Sequence, residues 1–285
     1  MVSGRVLCAS SVYDAGRNNC AKQGGQCNSA HRLAMSRCQC AITGLRRRPP
    51  VRTAGNCYPE FGSAFKTEAD SPGMYSPKFN QVHDRGILLE AMRAYSFATL
   101  FGPAAGEPSG ASAAATHLPL VVKDEGEHGL LVGHFAKANP HWQALAGRET
   151  LVVFAGPHSY VSPALYTEHL SVPTWNYIAI HATGTLSLID DDPGKEALLA
   201  DLIAIHEPAY LEHWRGLPEG FRRTMLAGIM GFRIPITRIE GKFKLSQNRA
   251  PEERRNVHAA QSAGSPDQQA LARWMERLLG SKLQS

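Results

Sequence analysis

The sequence predicts an α+β fold in which a closed antiparallel β-sheet is flanked by helices. The first observation is the order of the segments: strands and helices come in groups and do not alternate as parallel βαβ units do. The second is that Gly, Pro and charged turns separate the apolar strands. Residues 74–285 also contain no cysteine, so this part of the chain needs no disulfides.

Local sequence signals predict where the helices begin and where a strand bends. Asp84 can cap a helix that runs to about Ala94 with an apolar stripe on one side, and Ser265 can cap the last helix. Asp192 and Pro193 are suited to open another helix, and Gly184 predicts a bulge or bend in a strand. The predicted helices are 84–94, 140–146, 192–206, 218–229, 251–260 and 266–279. The predicted strands are 96–101, 114–122, 130–135, 150–155, 177–189 and 232–244.

Composition divides the chain at about residue 73. Residues 1–73 hold all six cysteines and a net charge of +6, whereas 74–285 have a net charge of −1. The first segment lacks helical or strand periodicity, and this composition predicts a disordered leader. We favour an upstream extension that precedes a functional start at Met74, while a disordered tail that is translated and an organelle transit peptide remain alternatives. We therefore predict a folding unit over 74–285.

The same features exclude several function classes. The near-neutral charge of 74–285 argues against a strongly electrostatic surface for DNA, so direct DNA binding by this part is doubtful. No apolar run has the length of a membrane span, and nothing in 74–285 points outside the cytoplasm. The pair Cys38 and Cys40 lacks zinc-finger spacing, and the histidines match no zinc signature, so we predict no metal site.

Four polar strings interrupt the apolar strands and are the candidate ligand-binding segments. They are 115–120 (ATHLPL), 133–140 (GHFAKANP), 172–177 (VPTWNY) and 240–250 (EGKFKLSQNRA). Cationic and amide side chains at strand ends are suited to an anionic ligand, because charge-assisted hydrogen bonds to phosphate are strong. The alternative for each string is ordinary: a solvated strand end, a turn before Pro140, or aromatic packing in a core or interface.

Those strings, in that order, resemble the PaiB-type family of FMN-binding negative transcriptional regulators. The resemblance starts at 74–79 (MYSPKF), includes 154–163 (FAGPHSYVSP) and 237–242 (TRIEGK), and extends to about Gly280. It implies an antiparallel split β-barrel of the FMN-binding type, a homodimer, and FMN at the subunit interface. The candidate FMN-binding residues are Thr116, His117, His134, Lys137, Asn139, Trp175, Asn176, Tyr177, Lys242, Lys244, Ser246, Gln247 and Asn248.

Strand geometry refines these candidates. Neighbouring residues of a strand point to opposite faces, so only one of Thr116 and His117 can face a given site within the strand. Trp175 and Tyr177 should share a face, with Asn176 on the other. FMN needs cations for its phosphate and aromatic or polar groups for its ring. We expect Lys137, with Lys242 or Lys244, at the phosphate, and the string around Tyr177 at the ring.

The sequence leaves two functions open. The resemblance implies an FMN-binding regulator of gene expression. The alternative is an FMN-dependent oxidoreductase whose regulatory effect is indirect, and a haem-binding split barrel is a minor third possibility. No helix-turn-helix pattern is present, and the compact basic pairs Arg222-Arg223 and Arg254-Arg255 are explained by solvated helix faces.

Overall fold

A computed structural model describes residues 73–106, 112–280 and 283 of the chain. The leader predicted over 1–73 lies outside these residues, apart from Gly73. The helices are α1 (Arg85–Ala94), α2 (His141–Leu145), α3 (Asp192–His206), α4 (Tyr210–Gly216), α5 (Glu219–Ala227), α6 (Pro251–Ser262) and α7 (Pro266–Leu279). The strands are β1 (Gln81–Val82), β2 (Phe97–Pro103), β3 (Ala113–Pro119), β4 (Val121–Lys123), β5 (Leu130–Ala136), β6 (Glu149–Val161), β7 (Thr174–Thr185), β8 (Ser187–Ile189) and β9 (Ile229–Lys244).

The described strands form one antiparallel sheet in the order β3-β2-β6-β7-β9-β5-β4, with β1 and β8 also paired to β9. The flanks of this sheet approach each other, because β3 contacts β5 and the Thr116 side chain bonds to residues just beyond β5. The sheet therefore curls into a barrel with helices around it. The α+β antiparallel barrel predicted from the sequence is confirmed.

Strand β9 organises the barrel because it is long and uses both edges. It spans 16 residues, and its first half pairs with β5 and β8 while its second half pairs with β7 and β1. The β7–β9 register shifts between Thr183 and Gly184. A side chain at Gly184 would collide with Pro235, since its Cβ would lie 2.2 Å from the Pro235 carbonyl oxygen. The predicted bulge at Gly184 is confirmed.

The main core fills the barrel. Phe135, Phe154, Phe232 and Phe243 are its largest fully buried side chains, and α1 contributes a buried stripe that includes Leu88 and Met92. A smaller cluster lies on the other face of the sheet, where Val121 and Val132 pack against Leu198 of α3. The predicted caps Asp84 and Ser265 are confirmed, the second as a full capping box.

Four sequence predictions need correction. The strand predicted over 114–122 breaks at Leu120, because β3 pairs with β2 while β4 pairs with β5. The strand over 177–189 divides into β7 and β8, which pair with different halves of β9. The predicted cap Asp192 is the first residue of α3, and the neighbouring Asp191 accepts from Gly194 N at 2.8 Å. Helix α4 was missed, because its seven residues end at a glycine and lack a side-chain cap.

None of the helices in the described part of the chain has the length and apolar character needed to cross a bilayer.

Candidate functional site

Two of the predicted residues, Thr116 and Asn139, meet where β3 approaches the end of β5. Asn139 Nδ2 donates to Thr116 Oγ1 at 3.3 Å, and that oxygen lies 2.8 Å from His141 Nδ1. Asn139 Oδ1 also accepts from the backbone N–H of His141 at 3.0 Å. Asn139 therefore binds the backbone of the turn that leads into α2, as the turn interpretation predicted, and also reaches across to β3. His141 completes this group and was not among the predicted residues.

His141 is buried at the rim of the barrel, with 4% of its surface exposed. Burial lowers its pKa, so the imidazole is neutral near pH 7. Thr116 Oγ1 accepts from Asn139 and lies within hydrogen-bond distance of Nδ1, and the tautomer of the ring sets which of these two atoms donates. Nε2 is buried without a partner among the described residues. The rim thus contains a buried ring nitrogen that can still form a hydrogen bond.

Lys137 lies at the end of β5 with its backbone fixed and its side chain at the surface. Its N–H donates to Gly228 O at 2.8 Å, and its carbonyl accepts from Trp142 Nε1 at 3.1 Å. The ammonium is half-exposed and lies 3.9 Å from Asp190 Oδ1. This cation is therefore held in place at the rim yet remains accessible to an anion.

The two predicted histidines lie elsewhere. His134 is on the face of β5 that packs towards α3, two residues after Val132, and burial lowers its pKa. His117 points outward from β3, where it stacks on Phe97 with ring centres 6.4 Å apart. As strand geometry predicted, Thr116 and His117 point in opposite directions, and it is Thr116 that faces the rim.

Trp175 and Tyr177 lie on the outer face of β7. Trp175 is half-exposed, with ring contacts to His158 at 5.6 Å and Tyr160 at 6.3 Å between centres. Tyr177 lies opposite His158 on β6 and opposite Lys244 on β9. The shared face of Trp175 and Tyr177 is confirmed, because Asn176 between them is fully buried.

Lys242 and Lys244 bring positive charge to the same outer face. Lys242 Nζ donates to Tyr75 O at 2.8 Å and lies 5.3 Å from the Tyr75 ring centre and 5.5 Å from that of Tyr177. Lys244 Nζ donates to Thr174 Oγ1. Burial, followed by the charges of Lys242 and Arg249, lowers the pKa of Lys244.

Asn176 and Ser246 form a separate, buried pair. Ser246 Oγ donates to Asn176 Oδ1 at 3.1 Å, and Asn176 Nδ2 has no partner among the described residues. Ser246 follows the end of β9 and has a φ of 62°, a backbone conformation that serine rarely adopts. The same-face row predicted for Lys242, Lys244 and Ser246 therefore holds only for the two lysines, because the chain turns inward after Lys244.

Gln247 and Asn248 belong to this turn. Gln247 Oε1 accepts from Leu245 N at 2.7 Å, and its Nε2 donates to Phe243 O. Gln247 thus binds the backbone of its own turn and stabilises the exit from β9. Asn248 is exposed at the surface next to it.

The predicted residues therefore fall into two main groups, which we name by their places. The rim group consists of Thr116, Lys137 and Asn139, and the strand-end group of Tyr177, Lys242 and Lys244. Lys137 is held beside Gly228, immediately before β9 begins, whereas Lys244 is the last residue of β9. The groups lie at opposite ends of this strand, whose 16 residues extend over roughly 50 Å if straight.

Both groups fit the chemistry of FMN. Lys244, Lys242 and Arg249 concentrate positive charge beside aromatic rings, an arrangement that an anionic ligand would relieve. The rim group offers a half-exposed cation and the unpaired His141 Nε2. Tyr177 and Trp175 can pack on the face of a flavin ring. We find no group of three or more His, Cys, Asp or Glu among the described residues that could hold a metal ion.

Sequence reasoning missed several residues around these groups. His141 and Trp142 follow Pro140 directly, so their place at the start of a helix was the available signal. Tyr75 comes beside Lys242 only through residues 74–82, which run along β9. Asp190 reaches Lys137 only through the folded sheet, and no local pattern in the sequence indicates this contact.

Comparison with known proteins shows which family this chain belongs to. A model of the family described as "Putative FMN-binding domain" matches residues 74–238. The chain is 34% identical over 218 residues to "Protease synthase and sporulation protein PAI 2" of Bacillus subtilis (strain 168), a match that covers 74% of this chain and 100% of that protein. It is 30% identical over 182 residues to an uncharacterised protein of Emericella nidulans, which covers 50% of this chain and 72% of that protein.

Among solved structures, the flavocytochrome Anf3 from Azotobacter vinelandii is similar with a TM-score of 0.47 and 14% identity, covering 61% of this chain and 74% of that chain. The family match spans more than half of the chain and ends within β9, and the relative from Bacillus subtilis is matched over its whole length. The resemblance predicted from the four polar strings is thereby confirmed. The chain belongs to the family of FMN-binding domains, and its cofactor is FMN.

Proposed function

We propose that this protein is a homodimeric FMN-binding regulator of gene expression, with FMN bound between its two copies. The observation that carries the shared site is the separation of the rim group from the strand-end group along β9, whereas the regulatory role rests on the resemblance of the four polar strings to PaiB-type regulators. One FMN cannot contact both groups within one chain unless β9 folds back on itself. A second copy can bring its strand-end group to the rim group of the first, and each dimer would then hold two FMN molecules.

The outer face of the sheet supports this assembly. The strands β2, β6 and β7 pair Thr99 with Val153 and Val153 with His181. Apolar side chains surround this row of three residues. The apolar residues on this face are Phe97, Phe101, Leu151, Val153, Ala155, Tyr160, Trp175, Tyr177 and Ala179. Phe97 is 66% exposed and Tyr160 is 52% exposed in the single chain. An apolar sheet face of this kind is typical of a protein–protein interface.

The rim group would bind the phosphate of FMN, and the strand-end group would bind its ring. Lys137 contributes a charge-assisted contact to the phosphate, and Asn139 and Thr116 hold the loop that carries it. Tyr177, Lys242 and Lys244 of the second copy pack on or beside the ring and add positive charge. FMN bound there supplies reversible electron-transfer chemistry. The positive charge of Lys242 and Lys244 near the ring would tune the electronic properties of the bound FMN.

We propose further that regulation does not depend on direct DNA binding by residues 74–285. Arg222 donates to Glu196, and Arg223 donates to Glu219. Arg254 donates to the carbonyl of Arg249 at 2.9 Å. The first basic pair is thus neutralised by carboxylates, which leaves little charge to displace counterions from DNA. Because 74–285 contain no cysteine, we also place the protein in the cytoplasm.

An absorbance spectrum of the purified full chain, combined with sedimentation, tests the proposal. We expect flavin bands at one FMN per chain and a dimer at micromolar concentration. A monomer that retains stoichiometric FMN would contradict the shared site. Adding NADH or NADPH under anaerobic conditions separates the two functions, because catalytic bleaching of the bands would favour the FMN-dependent oxidoreductase over the regulator.

A further inference from the structure

Lys195 is a buried cation that the proposed FMN site does not use. Its side chain is 3% exposed, although it lies in the first turn of α3 at the surface of the barrel. Lysines are seldom buried unless they are paired, because desolvation of the ammonium is costly. Lys195 Nζ donates to Asp190 Oδ1 at 2.9 Å. The same carboxylate oxygen lies 3.9 Å from Lys137 Nζ, the cation of the rim group.

The sheet brings these three residues together from distant parts of the chain. Strand β8 pairs Ile189 with Gly231 on one edge of β9, and β5 pairs His134 with the same Gly231 on the other edge. The segments that leave β8 and β5, with Asp190 and Lys137 respectively, therefore emerge side by side. Gly194 allows α3 to start directly against β8, since a Cβ there would lie 2.5 Å from Ile189 Cγ2. This close approach places the Lys195 side chain within hydrogen-bond distance of Asp190.

The two lysines share one carboxylate unequally. The contact with Lys195 is short and lies against the protein interior, whereas the contact with Lys137 is long and exposed. Exposed ion pairs at such distances contribute little. The hydrogen bond and the charge of Lys195 lower the pKa of Asp190, so this carboxylate stays ionised at neutral pH. The charge of Asp190 is thus balanced mainly by Lys195, and the Lys137 ammonium remains accessible to another anion.

We propose that Lys195 is a positioning residue for binding of the FMN phosphate. Lys195 holds the Asp190 carboxylate away from Lys137, so that Lys137 is free to bind the phosphate. The inference rests on the proposed role of Lys137. Without Lys195, the Asp190 carboxylate turns to Lys137 and competes with the phosphate, and it also repels the phosphate as a like charge. Asp190 is therefore the residue through which Lys195 acts.

The test is a set of matched variants titrated with FMN and with riboflavin, which lacks the phosphate. Lys195→Met keeps the length of the buried side chain and removes its charge. We expect it to weaken FMN binding about 5- to 10-fold and to leave riboflavin binding unchanged, and we expect the double variant Lys195→Met/Asp190→Asn to recover most of the FMN affinity. Lys123→Met is the control, because Lys123 also pairs with an aspartate of α3, Asp201, at the opposite end of β5.

Several outcomes would overturn the inference. These are no loss of FMN affinity in Lys195→Met, equal loss of both ligands, or no recovery in the double variant. Should Lys195→Met fail to fold, Asp190→Asn alone decides: we expect FMN to bind about 2- to 5-fold more tightly, and weaker FMN binding would contradict the inference. If the unaltered protein binds riboflavin and FMN equally, then the proposed role of Lys137 fails first, and the two failures are distinguishable.

Discussion

The backbone N–H of Met74 donates to Glu240 Oε1 at 3.1 Å. Glu240 lies in β9, and its other carboxylate oxygen is 3.8 Å from Arg238. Gly73 also packs against Glu240, since a Cβ on Gly73 would lie only 2.0 Å from Glu240 Oε1. The start of the described chain is therefore tied to the central strand of the barrel at the residue where the family match begins.

A chain that begins at Met74 should fold and bind FMN as the full chain does. Its amino terminus would place an ammonium group, in place of a neutral amide, against Glu240, and charge-assisted hydrogen bonds are stronger than neutral ones. We therefore expect its melting temperature to equal or exceed that of the full chain, as measured by circular dichroism. Glu240→Gln should lower the melting temperature of the shorter chain more than that of the full chain. Loss of folding or of FMN binding on removal of 1–73 would refute the predicted folding unit.

The homodimer should depend on the outer face of the sheet. Val153 lies at the centre of that face, and Val153→Glu would bury a charge in the proposed interface, where it has no partner. We expect a monomer by sedimentation and at least a tenfold loss of FMN affinity. Ile205→Glu is the control, because Ile205 is 57% exposed on α3, away from that face. A Val153→Glu protein that remains dimeric would place the interface elsewhere.

DNA binding by residues 74–285 should be weak. Their net charge is −1, and Arg222 and Arg223 are occupied by glutamates. Fluorescence anisotropy at physiological salt should give a dissociation constant weaker than about 10 µM for any sequence. The full chain should bind more tightly through the arginines at 46–48, with little sequence preference. Tight, sequence-selective binding by 74–285 would instead support direct repression.

Substitutions at Lys137 and Tyr177 should distinguish binding of the FMN phosphate from binding of the FMN ring. Loss of a charged phosphate contact costs roughly 1.5–3 kcal/mol, about one to two decades in affinity, so Lys137→Ala should weaken FMN and spare riboflavin. Tyr177→Ala should weaken both, because the ring is common to them. Isothermal titration of both ligands against both variants measures this. Equal losses for Lys137→Ala would leave Lys137 as an ordinary surface lysine.

Lys244 should destabilise the ligand-free protein in a pH-dependent way. Its pKa is lowered by burial and by the charges of Lys242 and Arg249. Between that lowered pKa and the ordinary lysine value, the unfolded chain binds more protons than the folded one, so the free energy of unfolding rises with pH in that window. Below the window the full penalty is present. Lys244→Met should remove this rise in urea titrations that extend up to about pH 10.5, the ordinary lysine value, and it should weaken FMN binding at pH 7. An unchanged pH profile would show that Lys244 carries no such penalty.

The sequence alone determined the local features of this protein. Asp84 and Ser265 cap their helices because capping depends on residues within one turn. Trp175 and Tyr177 share a face because the side-chain period of a strand is fixed. The four polar strings likewise identified the family, since their order along the chain needs no knowledge of the fold.

The tertiary structure decided which of these residues lie together. The break at Leu120, the contact of Thr116 with His141, and the position of Asp190 between Lys137 and Lys195 all depend on strands that pair across long stretches of sequence. Strand register and barrel closure are set by packing of the whole core, which no local pattern encodes. For the same reason only the folded chain shows that Lys137 and Lys244 lie at opposite ends of β9, so that a site containing both needs a second copy of the chain if β9 stays extended.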